Sequence, residues 1–222
     1  MNGNNTLSVI NLPPLEKRGV MKIKDEKELF EFLLIISPTG FVRERVMTEK
    51  QFFSHYFGSD DAVNSLPHLT LANFLLSQSS QDEIVSGLHM VAINSNRIKV
   101  VLENFKWFPF HTIYFDVKYQ VDIKQLVRKI TKSIGRYIRA DNKNTPHFIS
   151  NPHLTLCKRM SREQYEKSVI EYSEQKFSGE FTANEMVLLK RPFTEPGNYR
   201  VAGCFKFGGR EVCDKTTQLR LF

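Results

Sequence analysis

The pentapeptide Pro-His-Leu-Thr-Leu occurs twice in this chain, at residues 67–71 and again at 152–156. Chance produces a five-residue identity of this kind in about one of fifty chains of this length, so the repeat points to a duplicated unit. Each copy lies in a strand-like segment, and the period-two geometry of a strand assigns each residue a face. His68 and Thr70 share one face of the first copy, and His153 and Thr155 share one face of the second. The leucines between them point the other way, into a core. If the halves are related by a pseudo-twofold axis, the two polar faces meet in a groove that holds two imidazoles and two hydroxyls.

Around the repeats, strand and helix patterns alternate. A strand is expected over 28–36, stopped by Ser37-Pro38-Thr39-Gly40. A helix follows over 41–56, with Phe41, Val42, Val46, Phe52, Phe53 and Tyr56 as its apolar stripe and Arg43, Glu44, Arg45, Glu49 and Lys50 interleaved. Strands are expected over 67–76, 98–103, 112–117, 152–157, 185–190 and 199–207, and helices over 81–93, 123–139 and 161–175. The last helix opens with Ser161-Arg-Glu-Gln164, close to a capping box. Residues 1–25 are polar, Asn-rich and broken by Pro13-Pro14, and read as a flexible extension to one domain over 26–222.

Composition narrows the class. Hydrophobic residues make up 41% of the 222 and charged residues 25%, the balance of a folded, water-soluble protein rather than a disordered chain. No apolar run approaches the roughly 18 residues needed to span a bilayer, and the first residues lack the order of a signal peptide, so a cytoplasmic location is expected. Cys157, Cys204 and Cys213 have no zinc-like spacing, and their odd number argues against a disulfide framework. The net charge of +7 favours an anionic partner.

Two histidines beside two threonines suit the cleavage of a phosphodiester. That reaction needs a base to activate the attacking oxygen and an acid to protonate the departing one. Histidine titrates near neutrality, so one ring can be neutral while the other carries a proton. Threonine hydroxyls can hold the non-bridging oxygens as charge builds up on them.

Two His-x-Thr motifs on strands, one per half of a small chain, resemble those of the 2H phosphoesterase superfamily. The resemblance extends over most of residues 28–208 and is greatest to the bacterial 2'-5' RNA ligase branch, which the segments from Phe32 to Thr39 and from Arg191 to Val201 also fit. It implies an α+β fold. The fold expected is bilobal, with pseudo-twofold duplicated lobes, antiparallel sheets lining a central cleft and helices outside. It further implies catalytic roles for His68, Thr70, His153 and Thr155, no metal and no other cofactor, and an RNA or nucleotide substrate. The reaction implied is hydrolysis of a 2',3'-cyclic phosphate or reversible cleavage of a 2'-5' linkage. A monomer is expected, because two lobes already supply both sides of the cleft.

Other positions are open to more than one reading. A basic residue just past the second motif is common in the family, and alignment selects Lys158, whereas unbroken strand parity selects Arg159. The same parity aims Phe74 at the groove, where its ring would stack on a base, although it would serve equally well in the core. Tyr199 and Arg200 are candidates for the rim. His55, His89, His111 and His147 share no such constellation and read as ordinary surface or structural residues. His147 is the least bland of them, because Pro146-His147-Phe148 lies just before the second motif and could line the cleft, although a turn is the commoner reading. The chain also fits a non-catalytic RNA or nucleotide binder, and a 2H enzyme for cyclic dinucleotides or an ADP-ribose cyclic phosphate.

Overall fold

The computed structural model of the protein describes residues 29–138, 144–194 and 197–208. The expected N-terminal extension and Cys213 lie outside these residues. Nine strands form one antiparallel sheet in the order β7-β3-β4-β6-β2-β1-β8-β9, with the two-residue β5 (His147–Phe148) paired to β2. One lobe contains β2 (Leu69–Ser77), β1 (Leu29–Ile36), β8 (Glu185–Pro192) and β9 (Arg200–Lys206). The other contains β6 (His153–Lys158), β4 (Thr112–Val117), β3 (Ile98–Phe108) and β7 (Ser178–Ala183).

The two lobes meet where β2 and β6 run antiparallel, and the pair facing each other is Leu69 and Leu154. These are the third residues of the two pentapeptides, so the local twofold axis passes between them. Extending that register sets His68 across from Thr155 and Thr70 across from His153. The repeat therefore forms the seam of the molecule. Leu69, Leu71, Leu154 and Leu156 are all fully buried on its core side, and each contributes about 1.5–3 kcal/mol through burial.

The halves also exchange parts. After β1, α1 (Gly40–Phe57) crosses to pack on β6 and β7, while α4 (Arg162–Glu174) packs on β3 of the same lobe. The helices α2 (Gln81–Ile93) and α3 (Val121–Ile134) pack on each other, and α2 covers β9. Gly87 permits this approach, since a β-carbon there would lie 2.8 Å from Cγ2 of Ile134. Each helix pair thus covers the outer face of one lobe.

Local signals account for the helix ends. Gly58 closes α1 in the left-handed region at φ 66°, its N–H donating to the Ser54 carbonyl. Ser161 and Gln164 form the capping box of α4, each side chain bonding the other's backbone N–H. The stripe of α1 differs from the expected one. Val42, Val46, Lys50, Phe53 and Phe57 face inward, whereas Phe41, Phe52 and Tyr56 are exposed. The 3.6-residue period sets this phase, and Lys50 occupies an apolar position because its ammonium finds partners inside. Two strands, β5 and β7, lie where no strand was expected. Among the described residues, no helix is long and apolar enough to cross a membrane.

Candidate active site

A β-bulge at the same place in each repeat shapes the groove. On β2 the pairing with β1 skips one residue, so that Ala72 lies opposite Leu34 and Thr70 opposite Ile35, leaving Leu71 unpaired. On β6 the pairing with β4 skips Leu156, with Cys157 opposite Ile113 and Thr155 opposite Tyr114. Leu71 and Leu156 are equivalent positions of the repeat. Each bulge inserts a residue and reverses the parity of everything after it. Leu71 and Ala72 are both buried in succession, as are Leu156 and Cys157.

This reversal corrects two expectations. Phe74 turns into the core, 2% exposed and stacked on Phe32 with centroids 5.7 Å apart, so it offers no ring to the groove. Arg159 leaves the strand at φ 56° and pairs with Asp61 on the outside, Nε to carboxylate 2.7 Å. Lys158 and Asn73, two residues past the bulges, take the half-buried face that carries the threonines.

The two histidines are held in the same way. Nδ1 of His68 lies 2.7 Å from the Leu66 carbonyl and Nδ1 of His153 lies 2.8 Å from the Asn151 carbonyl, two residues upstream in each case. A carbonyl only accepts, so in both rings Nδ1 carries the proton and Nε2 remains the basic nitrogen. No hydrogen bond engages Nε2 of either ring, or the hydroxyl of Thr70 or Thr155, among the described residues.

Their surroundings differ. Burial holds His68 down to about 4, against the pull of the Leu66 carbonyl, and the charges of Lys50, Lys158 and His153 lower it further. His153 is also lowered by burial, opposed by the Asn151 carbonyl and reinforced by His147. The His153 ring sits between Phe108, edge-on with centroids 5.0 Å apart, and Tyr114, also at 5.0 Å. Burial pushes the Tyr114 hydroxyl up, and the nearby Asn151 side chain opposes this. Lys158 is lowered by its own burial and by neighbouring Arg159, so it brings a partly desolvated positive charge beside His68.

A polar network occupies the neighbouring part of the first lobe. Glu31 accepts from the Asn73 amide at 3.0 Å and from Arg191 Nε at 2.7 Å. Burial raises its carboxyl, but the bonds from Asn73, Arg191 and Tyr199 outweigh this and hold it below the usual range. Tyr199 is buried at 1% exposure on Leu33, Ile35 and Leu189, with the Arg191 guanidinium 4.6 Å from its ring centre. It supports the wall of the groove instead of standing at the rim. Arg200 beside it is exposed.

Sequence reasoning misses several participants. Lys50 reads as one of the solvated residues of its helix, although it continues the series Val42, Val46 at intervals of one turn. Phe108 and Tyr114 are brought to His153 by the β3–β4 and β4–β6 pairings. His147, on exposed β5, lies opposite Asn73 and acts on His153 through its charge. Among the described residues, no group of three or more His, Cys, Asp or Glu side chains is placed to hold a metal ion.

Known structures share this architecture. Escherichia coli LigT, crystallised with 3'-AMP, superposes with a TM-score of 0.57 at 12% identity, over 81% of this chain and 99% of LigT. TT0787 of Thermus thermophilus gives a TM-score of 0.57 at 14% identity, over 82% of this chain and all of TT0787. The phosphodiesterase domain of MHV ns2 gives 0.50 at 12%, over 73% and 99%. No curated protein matches the chain. A sequence model described as the 2'-5' RNA ligase superfamily matches residues 42–192, which span both His-x-Thr motifs and both bulges. With that match over more than half its length, the chain belongs to the 2'-5' RNA ligase superfamily of 2H phosphoesterases.

Proposed function

We propose that the protein is a metal-independent phosphoesterase that opens 2',3'-cyclic phosphates, or cleaves and forms 2'-5' linkages, in RNA or related nucleotides. The observation that carries this reading is the matched pair of imidazoles, each with Nδ1 fixed by a carbonyl two residues upstream and Nε2 unengaged. In hydrolysis of a cyclic phosphate, one Nε2 takes a proton from water as the water oxygen bonds to phosphorus. The other ring, protonated, gives its proton to the ribose oxygen as that P–O bond breaks. One water is consumed and the two rings exchange states.

Thr70 and Thr155 supply hydroxyls beside the imidazoles, and Lys158 adds positive charge for the non-bridging oxygens. Both proton carriers come from the chain, so the proposed reaction requires no metal. A nucleotide-class substrate gains support from LigT, which has been crystallised with 3'-AMP and with NADP+. The net charge of +7 suits the same class.

The test is turnover, in EDTA, of a panel of 2',3'-cyclic nucleotides, 2'-5' oligonucleotides, tRNA fragments, cyclic dinucleotides and ADP-ribose cyclic phosphates. His68→Ala and His153→Ala are each expected to lower turnover of the accepted substrate by about 100-fold or more with the fold intact. Near-normal turnover in both variants refutes the mechanism, and binding without product would make the groove a recognition module.

A further inference from the structure

The repeat gives the two histidines the same strand position and the same carbonyl partner, yet what lies beneath them differs. Lys50 is the buried charged side chain among the described residues, 1% exposed in the inward stripe of α1. Its ammonium donates to the Ala62 carbonyl at 2.8 Å and to the Ser65 hydroxyl at 3.2 Å. Both acceptors belong to the turn that leads directly into Leu66, whose carbonyl holds His68. Two hydrogen bonds from one buried cation thus tether the segment that orients one imidazole. His153 takes its carbonyl from exposed Asn151, and no buried lysine among the described residues tethers that loop.

Resting on the two-histidine reading above, we propose that Lys50 is a positioning residue that makes the symmetric pair unequal. It pins the 62–66 turn and sets a fixed positive charge behind His68. His68 is thereby kept as the unprotonated partner, the base in hydrolysis, and His153, nearer solvent, carries the proton.

The charges around His68 agree in sign. His68 faces Lys50 from α1 and Lys158 and His153 from β6, all of which oppose its protonation. Lys50 faces Cys157 and Lys158 on β6 and Asp61 in the turn. Burial lowers it to about 8, so at neutral pH it still bears its charge. A buried cation acts across a medium of low effective dielectric, where its influence on a neighbouring ring is large compared with that of a surface lysine.

The test follows the His68 ring by NMR titration in wild type, Lys50→Met and Lys50→Arg, with kcat/KM measured over the same pH range. Loss of the charge in Lys50→Met should raise the His68 midpoint by about one pH unit. The acid limb of kcat/KM should move with it, and His153 should stay in place. Lys50→Arg, which keeps the charge, should restore both towards wild type. A purely structural lysine would lower activity without moving the midpoint. If Lys50→Met does not fold, Lys50→Gln is used instead, since its amide still donates to the turn. An unchanged His68 midpoint in the neutral variant overturns the proposal. The titration needs no turnover, so it is independent of the alanine variants: full activity in those would refute the two-histidine reading alone.

Discussion

Acidification should destabilise the fold through His68 by an amount that follows from its surroundings. The ring is held at about 4 in the folded chain, against about 6.5 in an unfolded one. Between these values the unfolded chain binds a proton that the folded chain refuses, so stability falls as the pH drops from about 6.5 towards 4 and is unaffected by this group above that window. At pH 4.5 the full shift corresponds to about 2.5 kcal/mol. The ring edge open to the groove reduces this, and about 2 kcal/mol is expected. The measurement is urea unfolding of wild type and His68→Asn at pH 7 and 4.5. The asparagine amide can replace Nδ1–H as donor to the Leu66 carbonyl but cannot titrate. Carboxylates contribute equally to both proteins and cancel in the difference. The variant should therefore lose about 2 kcal/mol less than wild type on acidification. Equal losses would show that His68 is not held neutral by its surroundings.

Two further outcomes test the groove and the elements that frame it. Lys158→Ala should raise KM for a phosphodiester about tenfold, whereas Arg159→Ala, which removes only an outward pair with Asp61, should leave it within about twofold; steady-state kinetics on the two variants decides, and the reverse ranking would place the bulge wrongly. Ser161→Ala removes the capping box of α4 and should cost about 1 kcal/mol in chemical unfolding without changing kcat.

The paired bulges explain why one residue inserted into a strand matters so much here. Without the extra Leu71 and Leu156, period two would carry Phe74 and Arg159 onto the face that holds the catalytic candidates. With them, Asn73 and Lys158 take that face, and Phe74 joins Phe32 in the core. The groove becomes more polar while its positive charge is unchanged, and the hydrophobic side chain is not lost to water. Because both copies of the repeat are bulged at the same residue, the two sides keep a common design while their surroundings differ.

Much of this was open to reading from the chain alone. Side-chain alternation within Pro-His-Leu-Thr-Leu is a local property of a strand, so the faces of His68, Thr70, His153 and Thr155 and the burial of the leucines followed from spacing. The start of α4 followed equally locally, from Ser161 with Gln164. Tertiary structure decided everything that depends on a distant partner. The bulges exist because β1 and β4 pair around an extra residue, and β7 forms because β3 offers it an edge. Lys50 is buried because the turn after α1 brings the Ala62 carbonyl and the Ser65 hydroxyl to its ammonium. Aromatic rings flank His153 because β4 pairs with β6. A residue's face is set by its neighbours in the chain, but which groups share that face, and how far each is removed from water, is set by segments many residues away.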